Sequence, residues 1–168
     1  MNIFTINNKK EEKFLRQRVP LFDFSKVSKK EINETVKILK NIMKEANGIG
    51  LSANQIGLNQ RFFVARVPNQ EGQMKFYTIF NPEIIKFSSE KETLAEGCLS
   101  VPGLLGSVKR PQKIIVTGFD KNGKKIKIQA WGLLARVFQH EIDHLNGILF
   151  IDKAEKVFKE EQEESTKI

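Results

Sequence analysis

The stretch His140-Glu141-Ile142-Asp143-His144 contains both histidines of the chain. Four residues make about one helical turn, so on a helix the two imidazoles would lie on one face about 6 Å apart. Two imidazoles at that separation can bind one transition-metal ion, and the glutamate after the first of them can reach a water molecule on the metal. The alternative, a surface helix with two unrelated histidines, requires a coincidence of spacing and composition. We therefore predict a metal site on a helix.

The helix that carries this motif is predicted to run from Gly132 to Asn146, because Gly147 is typical of the position just past a helix end. Its apolar residues cover much of the helix circumference, which indicates a buried helix. They are Leu133, Leu134, Val137, Phe138, Ile142 and Leu145. A buried helix must satisfy the polar groups of its histidines and glutamate, and this requirement also favours a metal ion.

Segments typical of β-strands occupy much of the chain before this helix. They are residues 62–67, 74–80, 83–87, 113–119 and 124–130. Asn122-Gly123 predicts a hairpin between the last two, whereas the Gly and Pro residues within 97–106 predict a loop. A capping box that starts at Ser28 predicts a further helix ending near Ala46, and the residues before it are predicted to be irregular.

The size and composition of the chain fit one domain. At 168 residues, of which 40% are hydrophobic, the chain can bury a substantial core, and we predict a single domain over residues 1–168. The last part, about 154–168, is predicted to be a charged helical tail. The net charge of +8 is compatible with a polyanionic partner such as RNA, but the basic residues are spread out rather than clustered.

Cysteine usage and hydropathy indicate where the protein works. Cys98 is the single cysteine, so no intrachain disulfide can form and a reducing compartment is expected. No apolar run approaches the roughly 20 residues of a membrane helix, and the N terminus lacks the layout of a signal peptide. We expect a cytoplasmic protein that binds neither membranes nor DNA.

A catalytic metal site needs a third protein ligand beside the two histidines. The metalloprotease pattern H-E-x-x-H-x-x-G-x-x-H is excluded because Phe150 stands at its last position. A second protease pattern uses a glutamate about 20 residues after the second histidine. Glu164 lies at that distance from His144, although within a polar, charged segment. Cys98 is the third candidate, because a thiolate is a good ligand for zinc or iron, whereas a lone cysteine is often just a small buried residue.

Three segments together resemble the motifs of the peptide deformylases, of the bacterial type. Residues 48–55 (GIGLSANQ) resemble G-x-G-L-A-A-x-Q, residues 96–100 (EGCLS) are identical to the second motif, and residues 139–145 (QHEIDHL) match Q-H-E-x-D-H-L. The resemblance implies a hydrolase that removes the formyl group from the N-terminal formyl-methionine of nascent polypeptides and releases formate. It also implies an α+β fold, in which antiparallel strands pack around a central helix bearing the H-E-x-x-H motif.

The resemblance also implies a metal and its ligands. Cys98, His140 and His144 would bind one divalent metal ion, making the chain a single metallohydrolase domain. The relatives imply Fe²⁺ in the cell, with Zn²⁺, Ni²⁺ and Co²⁺ as alternatives. Affinity alone favours zinc over ferrous iron, so the ligands do not decide the metal.

Catalytic roles follow from the same resemblance. Glu141 would be the general acid/base, and Gln55 and the backbone N–H of Leu99 would stabilise the oxyanion. Gly50 would contact the bound peptide through its backbone. Residues that adjoin these motifs are candidates for substrate binding, with ordinary core packing as the alternative for the apolar ones. They are Ile49, Leu94, Gly97, Leu133 and Val137.

Two side chains near the motifs are candidates for supporting roles. Asp143 either orients a metal ligand or is a carboxylate on the helix surface. Glu96 is expected to pair with Arg110 and to hold the loop that carries Cys98. Ser52 replaces the alanine that is commoner in the first motif, and we expect the backbone there to be unchanged because serine is also small.

The partners expected from the resemblance are formyl-methionyl nascent peptides and the ribosome, with the protein itself a monomer. Some relatives dock on the ribosome through a strongly basic C-terminal helix. The tail of this chain contains more glutamate than lysine, so docking through it is not expected. Two other functions remain open from the residues alone: a zinc endopeptidase that uses Glu164, and a basic, non-enzymatic ribosome- or RNA-binding module with a structural metal.

Overall fold

The computed structural model of the chain describes residues 2–69 and 71–160. Within them the α-helices are α1 (Lys9–Leu15), α2 (Lys29–Glu45) and α3 (Gly132–Leu145). The strands are β1 (Gly50–Ser52), β2 (Phe62–Pro68), β3 (Met74–Phe87), β4 (Lys91–Cys98), β5 (Val101–Pro111), β6 (Lys113–Phe119), β7 (Lys125–Trp131) and β8 (Ala154–Lys159). Short 3-10 helices lie at Phe24–Lys26, Ala53–Ile56 and Phe150–Asp152.

Two antiparallel sheets form the β part of the fold. One has five strands in the order β1-β2-β3-β6-β7, and the other has three in the order β4-β5-β8. Helix α3 packs on one face of the five-stranded sheet, where Phe138 and Leu145 meet Phe63, Ile79 and Val116. Antiparallel strands around the helix that bears the histidines confirm the predicted α+β fold.

Helix α2 covers the other face of the five-stranded sheet. Its residues Leu39 and Met43 belong to a second apolar cluster with Phe62 and Phe80. Successive side chains point to opposite faces of a strand, so adjacent residues of β2 contribute to the two different clusters. The sheet therefore forms a rigid layer between α2 and α3, and strand β1 at its edge lies beside the helix that carries the predicted site.

Most of the predicted elements are present. Helix α2 starts at the predicted capping box, in which Ser28 and Glu31 each accept a hydrogen bond from the other's backbone N–H. The predicted strands correspond to β2, β3, β6 and β7. The break expected near Asn81 is a register shift between Phe80 and Glu83 within one long strand. The N-terminal segment is less irregular than predicted, because Asn8 caps the seven-residue helix α1.

The predicted loop at 97–106 is wrong. Strand β4 continues to Cys98 and strand β5 begins at Val101, so the chain turns within two residues. Gly106 lies inside β5 because of close packing, not because of a turn: a β-carbon there would be 2.8 Å from Cβ of Ala154. Glycine inside a strand often marks such a close approach.

The predicted helical tail is also wrong over the residues that the structure describes. Residues 154–159 form strand β8, which pairs antiparallel with β5 in a register that places Gly106 opposite Val157. An open strand edge offers unpaired backbone groups, and this tertiary pairing overrides the helix-forming tendency of Glu and Lys. Residues 161–168, including Glu164, lie outside the described part of the chain. Across residues 2–69 and 71–160, no helix has both the length and the apolar character needed to cross a bilayer.

Candidate active site

Helix α3 and the end of strand β4 bring the three predicted metal ligands together. The Nε2 atoms of His140 and His144 are 3.2 Å apart, as expected for side chains one turn apart on one face. Sγ of Cys98 lies 3.1 Å from Nε2 of His144. One donor atom from each of the three residues lies within 4.8 Å of the other two.

The three side chains fit a divalent metal ion. Donor atoms that lie about 2.0–2.3 Å from a tetrahedral ion are about 3.3–3.6 Å from one another, close to the 3.1 and 3.2 Å separations at this site. Burial opposes ionisation of Cys98, but the neighbouring His144 and His140 lower the pKa of its thiol well below the usual range. Thiolate is the form of cysteine that binds metals, so the electrostatics agree with the geometry.

Glu141 is buried beside this cluster. Its side chain points toward strand β1, where Oγ of Ser52 donates a hydrogen bond of 2.6 Å to Oε2. Burial raises the pKa of the Glu141 carboxyl above its ordinary value, and the attraction of His140 only partly offsets that effect. The contact with Ser52 could not be expected from sequence, because a small residue in a motif of small residues indicates packing rather than hydrogen bonding.

Gln55 lies on the 3-10 helix that follows β1, and both ends of its amide are fixed. Oε1 accepts a hydrogen bond of 2.8 Å from the backbone N–H of Ser52. Nε2 therefore points the other way, where it donates to Oγ of Ser100 at 3.0 Å and lies 3.7 Å from Sγ of Cys98. Leu99 lies in the turn between β4 and β5, next to Cys98. Both predicted oxyanion donors thus border the metal cluster.

One cleft of about 630 Å³ contains this cluster. Most of the predicted site residues line it: Ile49, Gly50, Gln55, Gly97, Cys98, Leu99, Leu133, Val137, His140 and Glu141. His144 lies behind the cleft wall and is fully buried. Leu94 is the exception among the candidates, since it is 45% exposed and does not line the cleft; it lies on β4 four residues before Cys98.

Comparison with known proteins agrees with the geometry of the site. The family described as polypeptide deformylase matches residues 2–160 of the chain. The chain belongs to the polypeptide deformylase family. A peptide deformylase from Natranaerobius thermophilus is 51% identical over 120 residues, which cover 71% of this chain and 74% of that protein.

Solved structures of deformylases have the same fold. A probable peptide deformylase from Synechococcus phage S-SSM7 superimposes with a TM-score of 0.81 at 42% identity and covers 91% of this chain and 99% of its own. A class I type b peptide deformylase from Acinetobacter baumannii, solved with Met-Ala-Ser bound, has a TM-score of 0.82 at 29% identity. That match covers 91% of this chain and 97% of the Acinetobacter chain.

Membership of the deformylase family establishes the activity. The chain is a metal-dependent hydrolase that removes the N-formyl group from nascent polypeptides. The comparisons support neither the zinc endopeptidase nor the non-enzymatic binding module. The described residues also contain a cluster of Cys98, His140 and His144 whose donor atoms could hold a metal ion.

Behind the Cys-His-His cluster lies a buried network of charges that could be predicted only in part from the sequence. Glu96 accepts two hydrogen bonds from Arg110, at 2.6 and 2.9 Å, which confirms the expected pair. It also contacts Nη1 of Arg136 at 2.7 Å and Nδ1 of His140 at 3.0 Å. The role of Arg136 was missed, because an arginine on an otherwise apolar helix usually indicates an exposed position.

Asp143 belongs to the same network rather than to the helix surface. It is buried and pairs with Nη1 of Arg110 at 2.7 Å and with Nζ of Lys153 at 2.6 Å. Arg110 thereby links the carboxylates of Glu96 and Asp143. Of the two alternatives for Asp143, the surface carboxylate is wrong, since its charge lies in the protein interior among compensating cations.

Proposed function

We propose that Cys98, His140 and His144 bind one divalent metal ion and that Glu141 is the general acid/base of deformylation. The observation that carries this proposal is the position of Glu141, buried in the wall of the cleft that holds the metal cluster. When bound, a divalent ion lowers the pKa of a coordinated water toward about 7 and polarises the formyl oxygen. Water then adds to the formyl carbon, and formate and a free amine are the products.

Glu141 would move the protons of this reaction. Its carboxylate takes a proton from the attacking water and later delivers it to the departing amine nitrogen, which must leave as a neutral amine. A general acid must hold its proton near neutral pH, and burial raises the pKa of the Glu141 carboxyl in the required direction. The charges of His140 and His144 oppose this rise in the metal-free protein, and a bound cation would act in the same direction, so the group can also serve as a base.

Gln55 and Leu99 would stabilise the negative charge that develops on the former carbonyl oxygen. Because Oε1 of Gln55 is held by the N–H of Ser52, Nε2 is the end that borders the cluster. The backbone N–H of Leu99 follows Cys98 in a tight turn between two strands, so its direction is also fixed. Donors that are oriented before the reaction need no reorganisation in the transition state.

The substrate side of the cleft would bind methionine and the peptide that follows it. Val137 is buried and Leu133 is half-exposed on the same helix, and Ile49, just before strand β1, lines the same cleft. These apolar walls suit an unbranched apolar side chain, and Gly50 and Gly97 line the same cleft, where their backbone groups would contact the peptide. The deformylase from Acinetobacter baumannii that holds Met-Ala-Ser supports a methionine-first peptide as ligand.

We propose Fe²⁺ as the metal in the cell, with Zn²⁺, Ni²⁺ and Co²⁺ as ions that the same ligands accept. One thiolate and two imidazoles suit all four ions. Ferrous iron next to a thiolate is sensitive to oxygen, so activity should decay faster in air than under argon. Equal decay in both gases, with iron measured in the purified protein, would contradict this choice.

We also propose that the protein acts as a cytoplasmic monomer on chains as they leave the ribosome. All described residues of the site come from one chain, so a monomer can hold a complete site. The single cysteine is compatible with a reducing compartment. The C-terminal strand β8 differs from a basic docking helix, and a ribosome contact would therefore use another surface.

The proposed reaction is tested by formate release from formyl-Met-Ala-Ser, measured anaerobically with each of the four metals. Unformylated Met-Ala-Ser is the control for peptide-bond cleavage. We expect formate in molar equality with free amino termini from the first peptide, and no new amino termini from the second. Cleavage of the control peptide would instead indicate an endopeptidase.

A further inference from the structure

Strand β1 contacts Glu141 through two residues on the same face. Gly50 and Ser52 are two positions apart, so they point to one side of the strand, toward helix α3. A β-carbon at Gly50 would overlap Oε1 of Glu141. Oγ of Ser52 lies 2.6 Å from Oε2 of the same carboxylate. The strand therefore leaves space for one oxygen of Glu141 and hydrogen-bonds the other.

Ser52 is fully buried and has no other side-chain partner among the described residues. Its hydroxyl also lies 3.0 Å from the backbone carbonyl oxygen of Glu141, so both of its acceptors belong to that residue. A hydroxyl can donate only one hydrogen bond, and the shorter contact indicates that Ser52 donates it to the carboxylate of Glu141 rather than to the carbonyl oxygen. An alanine at this position would offer Oε2 no donor.

We propose that Ser52 is a positioning residue for deformylation, which fixes the Glu141 side chain by binding Oε2 and leaves proton exchange to Oε1. This inference rests on the proposed role of Glu141. A carboxylate with one oxygen anchored keeps one orientation and leaves its other oxygen free. Proton transfer requires that free oxygen to lie at hydrogen-bond distance from the attacking water and from the departing amine. Oε1 borders Gly50, and both residues line the cleft in which water and the departing amine would lie.

The same residue also orients Gln55. The backbone N–H of Ser52 donates to Oε1 of Gln55, whereas its side chain donates to Glu141. Position 52 therefore connects the proposed oxyanion donor and the proposed general acid/base through two different groups. Only the hydroxyl is specific to serine, because any residue except proline supplies the backbone N–H.

The test compares Ser52→Ala, Ser52→Thr and the wild-type protein, each loaded with Co²⁺ and assayed for formate release from formyl-Met-Ala-Ser. Alanine occurs at this position in related motifs, so the variant is expected to fold and to bind one metal ion. We expect Ser52→Ala to lower kcat about tenfold with KM within twofold, because charge-assisted hydrogen bonds are the strong ones. Ser52→Thr, which keeps the hydroxyl, should retain at least a third of wild-type kcat.

A second comparison separates positioning from a general effect on structure. In a Glu141→Gln background, the further change Ser52→Ala should alter the residual kcat less than twofold, because the group that Ser52 orients is gone. The proposed role of Ser52 is overturned if Ser52→Ala keeps wild-type kcat, or if it lowers kcat by the same factor in the wild-type and Glu141→Gln backgrounds. It is also overturned if Ser52→Thr binds its metal but is as slow as Ser52→Ala. An inactive wild-type protein would overturn the proposed function as well. If the wild-type protein is active, the comparison of variants tests the role of Ser52 alone.

Discussion

Oε2 of Glu96 lies 3.0 Å from Nδ1 of His140, and this contact decides which ring nitrogen of the histidine faces Cys98. With Nδ1 engaged by a carboxylate, Nε2 is the nitrogen available to a metal. Arg110 and Arg136 hold the carboxylate from its other sides, so Glu96 cannot rotate away. Glu96 and Arg136, at the wall of the cleft, and Arg110 behind them thus hold the ring of His140 in one orientation.

Glu96→Gln should weaken both the metal site and the fold. The amide no longer compensates Arg110 and Arg136, and loss of one member of a buried ion pair costs about 3–5 kcal/mol. Loss of a carboxylate behind a ligating histidine lowers metal affinity about 10–100-fold. Metal competition with a chelator and urea denaturation measure the two effects. Glu92→Gln, an exposed glutamate on the same strand, is the control and should change neither.

The Glu96 network should also make stability depend on pH. Burial alone would raise the pKa of Glu96, but its hydrogen bonds to Arg110 and His140 hold it far below the ordinary 4.5. A carboxyl with a lowered folded-state pKa stabilises the protein fully above its unfolded-state pKa and loses that contribution as pH falls toward the folded-state pKa. The free energy of unfolding of the metal-free protein should therefore fall more steeply below about pH 4.5 in the wild type than in Glu96→Gln. Parallel curves would contradict the prediction.

Cys98 and Glu164 distinguish the deformylase ligand set from that of an endopeptidase. Cys98→Ala removes the sulfur that lies 3.1 Å from His144, so bound metal and formate release should both fall below about 1% of wild type. Glu164→Ala should retain one metal ion per chain and full activity. Metal analysis after dialysis and the formate assay measure these outcomes. The reverse pattern would show that the third ligand is the glutamate.

The motifs on α3 and β4 could be found from sequence because their chemistry is local. The two histidines are four residues apart on a helix, and Glu96 and Cys98 lie in one short segment, so spacing and residue type carry the information. The hairpin at Asn122-Gly123 was predictable for the same reason, since the turn selects its own residues. These features depend on neighbours in the chain.

The features that sequence reasoning missed depend on distant segments. Strand β8 forms because β5 offers an open edge, and nothing within residues 154–159 records that edge. Arg136 is buried because Glu96 and the backbone carbonyl of Val108 accept its hydrogen bonds. The hydroxyl of Ser52 meets a carboxylate 89 positions away in the chain. Each requires the tertiary fold before its role can be inferred.

Glu141→Gln should separate catalysis from metal binding. The amide keeps the shape of the side chain and can still contact Ser52, but it cannot take a proton from water. We expect kcat to fall about 10²–10⁴-fold while one metal ion per chain remains bound. Metal content and formate release on the same preparation give both quantities. Retention of more than a tenth of wild-type kcat would exclude Glu141 as the general acid/base.

The pairing of strand β8 with β5 leads us to expect different stabilities for two truncated chains, one ending after Glu160 and one after Lys153. A chain that ends after Glu160 keeps every described contact of β8, so its melting temperature and activity should match the full chain. A chain that ends after Lys153 lacks Val157 and Phe158, loses the ladder with β5 and exposes the edge of β5 that β8 covers.

The second truncation should lower the free energy of unfolding by about 2 kcal/mol, since Val157 and Phe158 each bury part of an apolar side chain and such partial burial contributes about 1 kcal/mol. Its effect should reach the active site, because β5 also pairs with the strand that carries Cys98. We therefore expect weaker metal binding in the shorter chain at 37 °C, measured by chelator competition, and no change in the chain ending after Glu160. Equal stability of both truncations would show that β8 does not support the sheet.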